Sequence, residues 1–227
     1  MLKANTGMPR VLKTIGVLGP AILMVGVVVP AIAYVGKAGQ AYSPLNHFIS
    51  ELGEVGVSSL AWIFNGSLVI SGVLMAVFLA GMGWHLGTRL GKAAALTGVV
   101  AGLGASAVGL IPMNDLQPHL RAAFTFFDCG LVSVGLFTIA VLRDRQGCLP
   151  RWLVIPGIAT GLAFAIFLAW PWLAGAPDLR MLDPASGVQR ASVWGIAILE
   201  WAVLVTVVGF IACAAATLQP PQAKSRS

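Results

Sequence analysis

Six stretches of this chain, about 11–35, 61–84, 92–111, 121–142, 152–174 and 191–217, are long and apolar enough to cross a membrane, which takes roughly 20 mostly apolar residues in helical form. Hydrocarbon offers no water to pair with backbone amides, so each stretch must satisfy its own, as a helix. Composition agrees: 58% of residues are hydrophobic and 10% charged, with a mean hydropathy of +0.89. The sequence therefore predicts an all-α fold, a polytopic six-helix transmembrane bundle in a single domain over 1–217, with a flexible cytoplasmic tail at 218–227. The first stretch follows Lys3, Arg10 and Lys13 and contains Ala31-Ile32-Ala33, which resembles a cleavage site. Its apolar length exceeds the roughly 7–15 residues of a secretory h-region, so it reads as a retained span.

Lys and Arg near helix ends resist translocation and so set orientation. Ten of the fourteen fall at the N-terminus, near the loops 85–91 and 143–151, and in the tail, whereas Lys37, Arg121, Arg180 and Arg190 lie on the other side. Both termini are expected in the cytoplasm, and a bacterial inner (cytoplasmic) membrane fits the bias. Glu51, Glu54, Asp115, Asp178 and Asp183 lie in the outer loops, with Asp128 and Glu200 inside spans, so the polar chemistry gathers on the outer side. A net charge of +6 does not point to nucleic acid, because the basic residues form short clusters between apolar runs and no continuous stripe. Cys129, Cys148 and Cys213 show no paired or metal-binding spacing and read as free thiols.

Helices in lipid associate through close approach at small residues. Gly98 and Gly102, Gly157 and Gly161, and Ser67 and Ser71 have that spacing; they suit packing within the bundle, with a homo-oligomer as the alternative use. Pro20, Pro30 and Pro156 are expected to kink their helices.

The most polar stretch is Ser43 to Gly56, SPLNHFISELGEVG. Ser43 suits a helix cap, Pro44 the first turn and Gly53 the position past the end. Leu45, Phe48, Ile49 and Leu52 recur on one face, with Asn46, His47, Ser50 and Glu51 on the other. The reading is a short amphipathic interfacial helix between the first two spans, its polar face turned to water or folded over a cavity. His47 and Glu51, four apart, can share a hydrogen bond there.

Ionisable groups inside a span usually face a partner, the bundle interior or a water cavity. Asp128 is placed about seven residues into the fourth span, with Arg121 and Thr125 on its face; Glu200 is placed about ten into the sixth, with Arg190 at its outer mouth. Each carboxylate can pair with its arginine. Asn65, His119, Asn114 and Asp115 add further polar groups on the same side. No tight metal-ligand spacing, phosphate loop or nucleophile elbow is present, so no metal and no cofactor is expected.

Three segments carry a resemblance: YSPLNHFISELG after the first span, GLIPMNDLQPHLRAAFTFF from the third to the fourth, and GVQRASVWGIAILEW at the sixth. They resemble the prokaryotic membrane-protein family known as domain of unknown function 998, over nearly the whole chain. A looser similarity runs to DRAM-like membrane proteins. The first resemblance implies a compact helical bundle with Asn46, Ser50, Glu51, Gly53, Asn65, Pro112, His119 and Arg190 at family positions, and it implies no reaction.

Together these features predict an outward-facing polar pocket for a small polar molecule or lipid headgroup, lined by Asn46, His47, Ser50, Glu51, Asn65, His119, Arg121, Asp128, Arg190 and Glu200. Arg121 and Arg190 would hold an anionic group, with Asp128 and Glu200 balancing them. Membrane lipids are the expected partners. Two alternatives remain: a membrane-embedded lipid hydrolase or transferase using His119 and Glu51 for proton transfer, and a non-enzymatic assembly factor whose polar cluster stabilises the bundle.

Overall fold

The computed structural model describes residues 7–218; Lys3 and all but the first residue of the expected tail lie outside them. Six helices span the molecule: α1 (Gly7–Ala33), α2 (Ala61–Leu86), α3 (Arg89–Leu110), α4 (Leu116–Leu142), α5 (Val154–Ala174) and α6 (Gly195–Thr217). All six are long and apolar enough to cross a membrane. Their outward faces stay apolar: Leu96, Leu103, Ile155, Leu162 and Val205 are each more than half exposed, as on a surface solvated by lipid. The chain is an all-helical, multi-pass membrane bundle.

Each helix packs against its neighbour in sequence, and α6 closes back onto α1, forming a ring. Phe78, Phe137 and Phe164 fill the interior. Close approach depends on the small residues. A Cβ placed on Gly102 would lie 2.7 Å from the Gly72 carbonyl oxygen, so α2 and α3 can touch backbone to backbone only because both are glycine. Ser106 of α3 donates to the Val69 carbonyl of α2 at 3.0 Å, and Ser133 of α4 donates to the Ala94 carbonyl of α3 at 2.8 Å. Gly98 packs on Ser133, Gly157 on Thr138 and Gly26 on Ser67, so these small-residue faces are covered within the chain.

Three local readings are corrected. Pro20 and Pro30 lie inside α1, but Pro156 sits in the first turn of α5, where a missing N–H leaves no bond unmade. The interior proline of α5 is Pro171. Helix α4 starts at Leu116, ahead of the expected 121, and α6 starts at Gly195, later than 191. Glu200 therefore stands in the second turn of α6, close to the end of the bundle opposite the start of α1 and the end of α6, while Asp128 lies near the middle of α4.

At that end the expected helix over 43–53 is shorter and tighter: a turn over 44–46, then a 3-10 helix over Ile49–Gly53. Ser43 accepts from the Leu45 N–H in the turn, at 3.3 Å. The Glu51 carboxylate takes the Phe48 N–H at 2.8 Å and Glu200 takes the Ile49 N–H at 2.6 Å, so side chains satisfy donors that a longer helix would have paired. Ile49 and Leu52 are buried with Leu23, Val27 and Phe64, plugging the mouth of the ring. Asn65 of α2 donates to the Gly53 carbonyl at 2.9 Å, and any side chain at Gly53 would run into Asn65 and Phe64.

Candidate functional site

The segment preceding α6 folds over this plug and is stitched to it. Arg190 makes a two-pronged pair with Glu51, both contacts at 2.8 Å, and donates a third bond to the Asn46 carbonyl at 2.8 Å. The side chains are 15% and 4% exposed, and such a fork-to-carboxylate bond is both directional and strong. Asn46 donates to the Ala191 carbonyl at 3.0 Å, and the Trp194 N–H donates to the Leu45 carbonyl at 2.7 Å. A second ion pair, Lys37 with Glu54 at 2.6 Å, stands nearby.

His47 is 1% exposed. Its ring lies against Tyr34 and Tyr42, with centroids 5.6 and 5.3 Å away. Nδ1 is 2.8 Å from the Asn46 Oδ1 and 3.3 Å from the Ser43 N–H. Nδ1 therefore meets two competing groups, the Ser43 N–H, which donates to it, and the Asn46 oxygen, which can only accept. Nε2 is buried and without a partner. Burial holds the His47 pKa below the usual histidine value; the Arg190 charge adds to this and the Glu51 charge opposes it. Burial also raises the phenols of Tyr34 and Tyr42 well above their ordinary range. Tyr42 accepts from the Trp201 indole N–H at 3.0 Å.

These groups face a cavity of about 450 Å³ lined by Tyr34, Lys37, Asn46, His47, Glu51 and Arg190 and roofed by the loop through Leu182 and Gly187. This is a polar vestibule. On the other side of the 3-10 helix lie two mostly apolar cavities of about 190 and 90 Å³, and Ser50, His119 and Glu200 line both. His119 is buried and donates from Nδ1 to the Ile111 carbonyl at 2.7 Å, which leaves Nε2 as its free nitrogen. Leu182 lines both the vestibule and the larger apolar cavity.

The ten residues singled out in the sequence thus sort into groups. Asn46, His47, Glu51 and Arg190 form the vestibule, and Ser50, His119 and Glu200 form a wall of the apolar cavities. Asn65 holds the plug from outside both groups. Arg121 and Asp128 are exposed on α4 and line none of these three cavities. Their spacing does put them on one face with Thr125, but that face points outward, and they form no ion pair with each other. Glu200 does not pair with Arg190; it accepts from Ile49, while Arg190 is engaged by Glu51. No hydrogen bond joins His47 to Glu51, each being bonded elsewhere. Glu51 and His119 open onto different cavities, so the expected acid–base pair is not assembled.

Sequence reasoning missed Tyr34, Tyr42, Lys37, Glu54 and Trp201. One signal was available: the chain has two tyrosines, and both fall in the short link between the first span and the plug.

Residues 17–217 match the family described as Protein of unknown function (DUF998). No curated protein and no solved structure matches the chain, so the looser likeness to DRAM-like proteins is without support.

Proposed function

The chain belongs to the DUF998 family, and on that premise we propose that it is a membrane protein whose vestibule binds a small polar molecule or a lipid headgroup. The charge bias of the loops supports an outward-facing site, with both termini in the cytoplasm of a bacterial cell. One observation carries the reading: the cavity of about 450 Å³ is walled by a buried ion pair and by a histidine whose Nε2 has no partner. Buried polar nitrogens are normally hydrogen-bonded, and a bare one beside a polar cavity is suited to a ligand group. The anionic ligand expected from the sequence loses its footing, because Arg121 lies elsewhere and the charge of Arg190 is already matched by Glu51.

The test is mass spectrometry of small molecules and lipids retained by the purified full chain, compared among wild type, His47→Phe and Asn46→Ala. A species held by wild type and depleted at least severalfold in both variants is the expected result. Indistinguishable profiles from folded proteins would remove the support for a binding site.

A further inference from the structure

The vestibule contains equal and opposite charge, and its charges are already matched. Lys37 is held by Glu54 at 2.6 Å, Arg190 by both oxygens of Glu51 at 2.8 Å, and no other formally charged residue lines the cavity. A phosphate or carboxylate entering here would add uncompensated negative charge, since each cation is already neutralised by a carboxylate. What remains unmatched is the Nε2 of His47, whose complement in either tautomer is a neutral hydroxyl, able both to donate and to accept. Carboxylate oxygens of Glu51 and Glu54 on the same wall are further acceptors for hydroxyl groups.

The second observation is adjacency. Leu182 lines both the vestibule and the apolar cavity of about 190 Å³. The plug serves both: Asn46, His47 and Glu51 face the vestibule, while Phe48 and Ser50 face the apolar side. The far walls, Phe124, Phe127, Phe167 and Leu168, come from α4 and α5, so an apolar cavity and a polar one share the plug as a wall. A ligand filling both is amphiphilic.

Building on the binding role of the vestibule, we propose that its ligand is an uncharged, hydroxyl-bearing amphiphile, an acylglycerol or glycosylated acylglycerol, with its hydroxyl head at His47 and one acyl chain running past Leu182 between α4 and α5. The test uses the full chain in detergent and measures quenching of tryptophan fluorescence by chain-brominated monoacylglycerol; Trp194 reports, since it packs on Phe48 with ring centroids 4.7 Å apart. The phosphate-headed analogue of identical chain, brominated lysophosphatidic acid, is titrated beside it, and free glycerol is used as competitor. The neutral lipid is expected to bind at least tenfold tighter than the phosphate analogue, and glycerol to displace it only at a hundredfold or greater excess. Ala123→Phe, which adds bulk to the wall of both apolar cavities, is expected to weaken lipid binding at least tenfold.

The wild-type comparison stands even if that variant does not fold. Equal or tighter binding of the phosphate lipid would overturn the uncharged headgroup, and glycerol competing at equal concentration would overturn the acyl-chain site, both leaving a polar vestibule ligand intact. Absence of saturable binding by all three would overturn the vestibule as a binding site and this inference with it.

Discussion

At the scale of single residues, the Arg190–Glu51 pair does most to hold the site in shape, because it ties two segments far apart in sequence across the mouth of the bundle. Removing one partner strands a buried charge, so Arg190→Ala should lower stability by about 3–5 kcal/mol. Arg190→Lys should recover only part of it, because an ammonium cannot reproduce the two-pronged geometry. Chemical unfolding in detergent measures both. His47 gives a pH signature. Its folded-state pKa is depressed, so the unfolded chain takes up the proton more readily and acid favours unfolding. The stability it contributes should be present above the ordinary histidine pKa of about 6.5 and be lost as pH falls below that value toward the depressed one. Melting temperatures from pH 8 to pH 5 should show this loss in wild type and a shallower one in His47→Phe. Residue identity was legible in the sequence where polarity was rare, as with Asn46, His47 and Glu51. Direction was not: Arg121 and Asp128 share a face as their spacing requires, yet periodicity does not say whether that face meets lipid or protein.

At the scale of elements, the plug over Ile49–Gly53 is too short to be stable alone, and it is ordered by what it touches. Glu200→Leu removes the acceptor for the Ile49 N–H. Hydrogen exchange at residues 48–53 should then accelerate by an order of magnitude or more, with α2 and α3 unaffected, whereas Glu200→Gln keeps an acceptor and should change little. Gly53→Ala should destabilise by about 1–3 kcal/mol through overpacking, since the added methyl meets Asn65 and Phe64. The apolar period of this segment was readable, but its 3-10 form was not. Glu200 contributes from a position 151 residues away, and no local pattern records a cap supplied by another helix. The long helices show the converse. Their existence followed from hydrophobic length, and only their ends moved, α4 because Pro118 is accepted in a first turn.

At the scale of the whole molecule, the ring of six helices has an apolar exterior, an aromatic interior and a polar set gathered where the plug and the loop before α6 close over one end. The membrane class and number of spans were legible because lipid imposes one rule on every segment. The order of helices around the ring was not, being decided by glycine contacts such as Gly72 with Gly102. The measurement closest to the central claim is an experimental density map of the full chain in lipid nanodiscs, with a bound antibody fragment to aid alignment. Arg190 should be joined to Glu51, and an elongated ligand density should lie with its head beside His47 and its tail past Leu182. A vestibule with the pair intact but only water-like density, or one with Arg190 and Glu51 turned apart, would contradict that claim.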